Sequence, residues 1–354
     1  MRPASLGQGE QLTVPTSVTG LTDMVRRAIE RRAQLAERLL SEDTDCYRML
    51  HGAQEGLPGV TLDRYGSLAL LQTFHEPLPD AVVAAIDAVV DALVPGLDLV
   101  YNDRSGAGSR VGNRLAGAQR VAGKAARATR EHGVRFHIRG RHRGSDPWLF
   151  LDLRTTRRAI MGEASGASLL NLFAYTCGVG VAAAFAGAHR VLNVDFAESS
   201  LAVGVDNAVL NGVHARTTEL VSDVFPVVRQ LGGMRQPAVD RGRRLPPFPR
   251  LEPESFDLVC LDPPPVARSP FGVVDILRDY QTLLKPVLRV VSDSGALYCT
   301  NNLARVAEDE WHAVLRRCAE RHGRPVRSLD VIRPDDDFPS LDGRPPLKVA
   351  RLTF

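Results

Sequence analysis

Apolar and polar positions in the second half of the chain alternate in the rhythm of a parallel α/β sheet. Short apolar runs, typical of buried strands, take turns with longer segments whose apolar residues recur at helical spacing. The order is strand 168–174, helix 179–187, strand 190–195, helix 198–212, a short strand ending near residue 222, strand 256–261, helix 273–290, strand 294–300, helix 305–321 and strands 326–332 and 347–354. This order predicts a Rossmann-like, doubly wound α/β sheet of seven strands, whose last pair forms a hairpin with one strand antiparallel.

The first half of the chain has a different pattern, which predicts a smaller α+β domain. Residues 22–40 place apolar side chains at helical spacing among arginines, as in a basic amphipathic helix. Short strands joined by glycine turns follow over 46–74, then a buried helix over 79–94 and a strand over 97–102. The chain is therefore expected to consist of a flexible tail (1–20), an N-terminal α+β domain (21–145) and a C-terminal α/β domain (146–354). The C-terminal domain contains a polar loop at 232–254.

The composition fits a cytoplasmic enzyme. The 354 residues, of which 44% are hydrophobic, can form two cores of ordinary size. The sequence shows neither a signal peptide nor an apolar run of the ~20 residues that a membrane helix needs, so we expect no membrane association. The five cysteines lack a paired metal spacing, so we expect reduced thiols and no metal site.

Basic residues are concentrated in one part of the chain, although the net charge is only +3. Residues 101–160 hold 14 Lys and Arg against 4 Asp and Glu, and arginine, which suits phosphate and base contacts, predominates. We call this stretch the basic block, and it predicts a surface that binds nucleic acid. The alternative is a solvated face whose arginines reflect the overall composition.

One strand ends in a carboxylate followed by prolines. The apolar residues 258–261 lead into Asp262, Pro263 and Pro264, and the prolines cannot continue the hydrogen-bonded ladder. Asp262 is therefore expected at the carboxyl edge of the sheet, where open α/β sheets bind ligands. A strand that ends in Asp-Pro-Pro is typical of methyltransferases acting on planar nitrogens or bases, although an ordinary turn has the same composition.

Three earlier strand ends also carry residues that suit a nucleoside cofactor. Residues 175–180 form a glycine turn that opens a helix, where free backbone amides can meet a carboxylate such as that of methionine. The turn also matches a loose dinucleotide pattern, so NAD stays open at this point. Asp195 ends the second strand and can accept both ribose hydroxyls. Asp223 follows the third strand, where it can bind an adenine amino group or cap a helix.

Several separate motifs along the chain point to one family. In order they are 47–52 with 56–66, Glu131-His-Gly, Phe150-Leu-Asp-Leu-Arg154, Asn171-Leu-Phe-Ala-Tyr-Thr176 and Asp262-Pro-Pro. Together they resemble the bacterial 23S rRNA methyltransferases of the RlmI and RlmK type, over roughly residues 22–354. The resemblance implies S-adenosylmethionine as the cofactor and RNA as the partner, either 23S rRNA or a large-subunit precursor. A homodimer is compatible with the sequence.

The resemblance also implies roles for individual residues. The cofactor would be bound around its methionine part by Phe173, Tyr175, Thr176 and Gly178, at its ribose by Asp195 and near its adenine by Asp223. Asp152 and Arg154 would lie beside the cofactor. A structural ion pair is the alternative for these last two residues.

The atom to be methylated depends on the strand 294–300. Methylation of cytosine at carbon 5 needs a thiolate that adds to the ring, and RlmI-type enzymes carry that cysteine at the end of this strand. Aligning the strand ends places Thr300, not Cys299, at this position, and a slip of one residue turns a side chain to the opposite face. Asn301 and Asn302 instead resemble the Ser-Asn-Asn segment of the RlmK branch, which methylates guanine N7. We therefore predict transfer to a ring nitrogen, with Asp262, Pro263, Pro264 and Asn301 positioning the base.

The chain also departs from the family pattern. Members of the RlmI branch usually begin with an RNA-binding PUA domain, whereas we expect none here, because the sequence begins with the basic helix. Cys177 replaces a common glycine, and the segment 141–147 is unusual. Cys177 and the segment 141–147 keep open a non-catalytic factor that binds rRNA during assembly. Two further alternatives are cytosine C5 methylation by a cysteine such as Cys299 and methylation of a small molecule, for which the basic block would only reflect composition.

Overall fold

The computed structural model of the chain describes residues 17–240, 243–340, 342–343 and 345–354. These residues pack into two compact units. The first holds the residues up to 41 together with 45–127 and 139–147, and the second holds 42–44, 128–138 and 148–354. The predicted domains were separated by a single boundary near residue 145. In the structure the chain passes between the units more than once, because the hairpin at 128–138 packs with the C-terminal unit.

The first unit combines a mixed sheet with helices. Its elements are α1 (Val18–Arg31), α2 (Ala33–Ser41), β1 (Cys46–His51), β2 (Val60–Tyr65), β3 (Leu68–Thr73), α3 (Asp80–Leu93), β4 (Asp98–Asp103) and α4 (Gly117–Lys124). The strands lie in the order β1-β2-β3-β4, with antiparallel pairs joined by turns and a parallel β3–β4 pair connected through α3. Every residue of β3 is buried, and α1 and α3 supply apolar side chains to the same core.

The predicted helix at 22–40 is two helices in the structure. Ser17 caps α1 by accepting a hydrogen bond from the amide of Gly20, so the helix begins inside the predicted tail. The rest of that tail, residues 1–16, lies outside the described residues. The break falls at Arg32, whose guanidinium is buried and forms two hydrogen bonds with the Glu55 carboxylate.

The second unit contains the larger sheet. Its elements are β5 (Arg127–Glu131), which begins at the last residue of the first unit, β6 (Val134–Ile138), α5 (Arg154–Glu163), β7 (Ser168–Leu172), α6 (Gly178–Phe185), β8 (Arg190–Asp195), α7 (Glu198–Leu210), β9 (Thr217–Val221), α8 (Val224–Leu231), β10 (Val239–Asp240), β11 (Arg243–Arg244), β12 (Phe256–Leu261), β13 (Val266–Ser269), β14 (Gly272–Asp275), α9 (Tyr280–Val287), β15 (Val291–Asn301), α10 (Glu308–Arg321), β16 (Ser328–Ile332) and β17 (Lys348–Thr353).

The predicted seven-stranded sheet is confirmed. Its strands lie in the order β16-β17-β15-β12-β7-β8-β9, and β17 runs antiparallel to both of its neighbours. The other neighbouring pairs are parallel. The central strands are almost entirely buried, as expected when helices cover both faces of a parallel sheet.

The predicted helix at 273–290 is wrong in its first half. Residues 266–275 form the hairpin β13–β14, and the helix begins only at Tyr280. Two local features favour the hairpin. The Ser-Pro-Phe-Gly turn separates short runs that include β-branched valines, and Asp279 caps α9 by accepting a hydrogen bond from the amide of Thr282. An apolar run of this length does not by itself distinguish a strand from a helix.

No helix in the described part of the chain is long and apolar enough to cross a membrane. The polar loop predicted at 232–254 contains the short β10–β11 pair and otherwise lacks regular structure in its described residues.

Candidate functional site

The carboxyl ends of five parallel strands lie side by side along one edge of the large sheet. From the central strand β7 the chain adds β8 and β9 on one side, then crosses to add β12 and β15 on the other. The order therefore reverses between β7 and β12, and open α/β sheets bind ligands in the crevice at such a point. The predicted site residues after β7, β8, β9 and β12 all lie along this edge.

The loop after β7 has an unusual backbone. Phe173, Tyr175 and Cys177 have φ angles of 61°, 50° and 60°, in the left-handed region that residues other than glycine rarely adopt. The loop is fixed to β8, because the amide of Ala174 donates to the carbonyl of Val194 at 3.0 Å. Residues held in such conformations cluster at ligand-binding sites. The loop that was predicted to contact the methionine part of the cofactor is thus the most strained segment of this edge.

Cys177 fits its left-handed position because Gly204 makes room for it. A Cβ atom at Gly204 would lie 2.3 Å from the Cys177 sulfur, too close for any real contact. The thiol is fully buried, and burial, with smaller contributions from Glu219 and Asp195, raises its pKa well above the usual range. Cys177 is therefore a packing residue, and its thiol is unsuited to act as a nucleophile.

Asp195 is held in a fixed orientation at the end of β8. One carboxylate oxygen accepts a hydrogen bond from the amide of Tyr175 at 2.9 Å, and the other accepts from the amide of Ala197 at 2.8 Å. Each carboxylate oxygen can accept more than one hydrogen bond, so the ribose hydroxyls of a nucleoside could still be bound. The arrangement is compatible with the role predicted for Asp195.

Sequence reasoning missed the aromatic residue beside Asp195. Phe196 directly follows the carboxylate, and 68% of its surface is exposed. Its ring is therefore accessible beside Asp195, at the edge of the sheet where open α/β sheets bind ligands. Its position after the strand-ending aspartate was the available sequence signal.

Asp223 caps the helix after β9. Its side chain accepts a hydrogen bond from the amide of Phe225 at 2.8 Å, which is the geometry of an N-cap. The structure thus gives Asp223 the capping role that was one of the two predicted. Contact with adenine stays a prediction.

Thr176 and Gly178 lie at the start of α6. The Thr176 hydroxyl donates to the carbonyl of Trp148, and the Thr176 carbonyl accepts from the Asn207 amide at 3.2 Å. The Thr176 side chain therefore anchors the loop, whereas no side chain caps the start of α6 by a hydrogen bond. The rings of Phe150 and Tyr175 meet at a centroid distance of 5.4 Å beside this loop.

Arg154 lies in a buried cluster with two aspartates. Its guanidinium forms hydrogen bonds of 2.6 and 3.2 Å with the carboxylate of Asp337, and Asp335 lies 3.3 Å away. The arrangement matches the ion-pair alternative for Arg154. Asp152 lies in a short 3-10 turn just before α5, and its charge is one cause of the raised pKa of Asp262. Cofactor contact stays a prediction for both Asp152 and Arg154.

Asp262 and Thr300 meet where β12 and β15 end. The Thr300 hydroxyl donates a hydrogen bond to the Asp262 carboxylate. Burial raises the pKa of Asp262 to about 6, and the nearby Asp152 adds to the rise, whereas the Thr300 hydrogen bond and Arg157 oppose it. The pKa of the Asp262 carboxyl group therefore lies within the pH range in which enzymes work. Pro263, buried, and Pro264, half-buried, complete the stiff loop after Asp262.

Cys299 points away from Asp262, into the core on the other face of the sheet. It packs in the same apolar cluster as Tyr280 and Trp311 and is fully buried. Burial raises the pKa of its thiol to about 12. Cys260 is also fully buried in β12, and its pKa lies well above the usual range for the same reason. Neither cysteine presents a thiolate at the sheet edge.

The two asparagines after Thr300 are in contrasting environments. The Asn301 side chain is fully buried, and its carbonyl oxygen accepts a hydrogen bond from the amide of Leu303 at 3.0 Å. Its amide nitrogen has no hydrogen-bond partner among the described residues. Asn302 is exposed. The buried Lys348 donates to the carbonyl of Leu303 at 2.8 Å and so fixes the loop that follows both asparagines.

The sequence did not predict the buried ion pair between Arg157 and Glu131. Arg157 donates two hydrogen bonds to Glu131, at 2.5 and 2.7 Å, and a third to the carbonyl of Phe150 at 2.8 Å. Arg157 and Glu131 are both almost fully buried. The pair links the β5–β6 hairpin to α5 and fixes the backbone that carries Phe150. Glu131 belonged to a recognised motif, but its partner could not be deduced from sequence spacing.

The comparison with known proteins agrees with this geometry. A family model described as S-adenosylmethionine-dependent methyltransferase matches residues 48–351. The chain belongs to this family. It is therefore an S-adenosylmethionine-dependent methyltransferase, and S-adenosylmethionine is its cofactor.

Individual relatives align with most of the chain. A protein of Klebsiella pneumoniae strain 342 named Ribosomal RNA large subunit methyltransferase I is 29% identical over 317 residues, which is 88% of this chain and 72% of the relative. The protein of the same name from Salmonella arizonae is 27% identical over 336 residues, covering 93% and 77% of the two chains. The crystal structure of SMU.776 complexed with SAH has a TM-score of 0.75 at 22% identity, covering 96% of this chain and 83% of that one. This last likeness shows that the fold is shared.

The methyltransferase site has features that fit its cofactor. Asp195 retains acceptor capacity for hydroxyl groups, Phe196 offers an exposed ring, and the amides at the start of α6 suit a carboxylate. These features lie after neighbouring strands on the same sheet edge. Asp262 lies after the next strand, which suits a substrate adjoining the cofactor.

Proposed function

We propose that this methyltransferase transfers a methyl group to a ring nitrogen of a base in ribosomal RNA, with 23S rRNA as the favoured substrate and guanine N7 as the favoured atom. Three facts support RNA as the substrate. The chain aligns with relatives named as methyltransferases of large-subunit rRNA, the alignment covers most of each chain, and the basic block has the composition of a nucleic-acid-binding segment.

The orientation of Cys299 carries the choice of a ring nitrogen. Cytosine carbon 5 becomes nucleophilic only after a thiolate has added to the ring, so a C5 methyltransferase needs a reactive cysteine beside its substrate. Here Cys299, the cysteine near the end of β15, is buried in the core with a pKa of about 12, and the hydroxyl of Thr300 lies beside Asp262 in its place. A ring nitrogen with its own lone pair needs no covalent catalyst.

The chemistry of such a transfer is simple. When bound, the cofactor would supply an electrophilic methyl group on a sulfonium: the N–C bond forms as the C–S bond breaks, the sulfur becomes a neutral thioether and the positive charge passes to the methylated base. The task of the protein is then to hold the nitrogen in line with the methyl group and to keep water out, and proximity provides most of the acceleration.

Several residues at the sheet edge contribute to this task, each through a different contact. The ionised Asp262 accepts a hydrogen bond from an N–H group on the edge of the base, and Pro263 and Pro264 keep the loop stiff. Thr300 holds the Asp262 carboxylate in place. A contact of Asn301 with the base stays a prediction, because its side chain is fully buried and alternates to the face opposite Thr300. Asp195 binds the ribose of the cofactor, and Phe196 packs against its adenine.

Replacing the buried cysteine tests this proposal. We expect Cys299→Ala to transfer tritiated methyl groups from S-adenosylmethionine to in vitro transcribed 23S rRNA at a rate within about threefold of the wild type, because the thiol has no chemical role. Asp262→Ala serves as the active-site comparison and should lose most of the activity while binding the cofactor normally. Loss of transfer in Cys299→Ala with intact cofactor binding would contradict the nitrogen mechanism and favour cytosine C5.

The same assay separates the remaining alternatives. A wild-type protein that binds S-adenosylmethionine but methylates no RNA would support a small-molecule substrate. A protein that binds RNA but shows no calorimetric heat with millimolar S-adenosylmethionine would support a non-catalytic assembly factor.

A further inference from the structure

The structure divides the basic block into two kinds of residues. Some of its arginines are used inside the protein, in ion pairs or buried hydrogen bonds, as are Arg104 with Asp146, Arg127 with Asp98, and Arg157 with Glu131. Others are exposed, and five of them form no ion pair or hydrogen bond within the described residues. These five are Arg110, Arg114, Arg120, Lys124 and Arg143. Only the second kind is available to a partner.

All five exposed cations belong to the first unit, and they come from three segments of chain. Arg110 and Arg114 lie in the loop before α4, Arg120 and Lys124 lie one turn apart on α4, and Arg143 lies in the segment 139–147. No acidic residue occurs between Asp103 and Glu131, so the first two segments carry no negative side chain. The carboxylate of Asp146 in the third segment is paired with Arg104.

Arg141, whose side chain is half-buried, joins these three segments. Its guanidinium donates to the carbonyl and the side-chain oxygen of Asn113 at 2.8 and 3.0 Å, which fixes the loop next to Arg114. Its backbone amide donates to the carbonyl of Gly123 at 2.8 Å, which fixes the end of α4. A fourth hydrogen bond, from its Nε to the side-chain oxygen of Asn102 at 2.8 Å, fixes these segments to β4.

The packing at this junction leaves little freedom. A Cβ atom at Gly123 would lie 2.5 Å from Leu115 and 3.3 Å from the Cβ of Arg141, so α4 approaches both neighbouring segments closely. The side chain of Gln119 also accepts a hydrogen bond from the amide of Tyr101 in β4 at 3.1 Å. The five cations are therefore presented by a fixed scaffold and not by independent loops.

We propose that this face of the first unit, made of the loop before α4, α4 itself and the segment around Arg143, is a docking surface for the phosphate backbone of RNA. A fixed group of cations without carboxylate partners matches the repeating negative charge of a polynucleotide. Phosphate contacts of this kind position the substrate and carry no sequence information. The surface thus supplies affinity, whereas the choice of base belongs to the methyl-transfer site in the second unit.

This inference rests on the proposed RNA substrate and is tested by removing one cation from each segment. The variant Arg114→Gln/Arg120→Gln/Arg143→Gln is compared with a control of equal charge, Arg235→Gln/Arg316→Gln/Arg317→Gln, whose arginines are exposed on the second unit. Binding to fluorescently labelled transcripts of 23S rRNA is measured by anisotropy from 50 to 300 mM KCl. Calorimetric binding of S-adenosylmethionine shows that each variant is folded.

We expect the slope of log affinity against log salt to become less negative by about 2 in the docking-surface variant, since each lost phosphate contact removes about 0.7 from the slope for single strands. The affinity near physiological salt should fall at least tenfold, and the control should match the wild type. Equal affinity and equal slope for the two triple variants would overturn the docking surface while leaving the proposed function intact. A wild-type protein that binds no rRNA would overturn both.

Discussion

Removal of the Thr300 hydroxyl should shift the pH dependence of methyl transfer to higher pH. In Thr300→Val the side chain keeps its shape but loses the hydrogen bond that it donates to the Asp262 carboxylate. That bond stabilises the ionised form of Asp262 more than the neutral form, so its loss raises the pKa of this group above the value of about 6 in the wild type. Because the proposal uses the ionised form to hold the base, activity rises with pH through this pKa.

The size of the shift follows from the strength of the bond. A hydrogen bond to a charged group contributes about 1.5–3 kcal/mol, and one pKa unit corresponds to about 1.4 kcal/mol. The pKa of Asp262 should therefore rise by about 1–2 units in Thr300→Val. At pH 6.5 the ionised fraction, and with it kcat/KM, should fall by a factor of about 3 to 25 relative to the wild type, whereas near pH 9 the two proteins should be similar.

The assay is kcat/KM for 23S rRNA transcripts between pH 5.5 and 9, because this parameter reports the ionisations of the free enzyme. Thr300→Ser is the matched control, since serine keeps the hydroxyl and should keep the wild-type profile. A uniform loss of activity at every pH in Thr300→Val, with no shift of the midpoint, would show that Thr300 does not act through the ionisation of Asp262.

Two further predictions concern the cofactor side of the site. Gly204→Ala should lower the free energy of unfolding by about 1–3 kcal/mol in urea, because the new methyl group overlaps the Cys177 sulfur, and adding Cys177→Gly should restore most of the loss. Additive effects in that pair would disprove the steric explanation. Asp195→Asn should weaken calorimetric binding of S-adenosylmethionine by about ten- to a hundredfold, as expected for lost hydrogen bonds to a charged group, whereas the same change of charge at the exposed Glu198 on α7 should have no effect. Equal affinities for the two variants would remove Asp195 from the cofactor site.

The sequence was most informative where one physical rule determined the outcome. Short apolar runs separated by helical patterns favour a parallel sheet with helical crossovers, so the succession of sheet strands along the second unit and the doubly wound sheet were predictable. The Asp262-Pro-Pro segment had to leave the sheet at its carboxyl edge, because proline cannot continue the ladder. The alternation of side chains along a strand likewise placed Thr300 and Cys299 on opposite faces.

Features that depend on distant residues could not be predicted in this way. The left-handed conformation of Cys177 depends on the space left by Gly204, which lies on another helix. The error at 273–290 arose because apolar residues occur in hairpins and helices alike, and the cap at Asp279 decides between them. The total charge of the basic block did not reveal that Arg157 is a buried structural residue while Arg120 is exposed.

In the proposed reaction, the product carries its new methyl group on a ring nitrogen of an rRNA base. The most direct test is to incubate the protein with 23S rRNA transcripts and S-adenosylmethionine that carries a deuterated methyl group, digest the RNA to nucleosides and analyse them by mass spectrometry. We expect the deuterated methyl group on a base nitrogen, with 7-methylguanosine as the favoured product. Deuterated 5-methylcytidine would contradict the proposed mechanism, and RNA without any deuterium would contradict the proposed substrate.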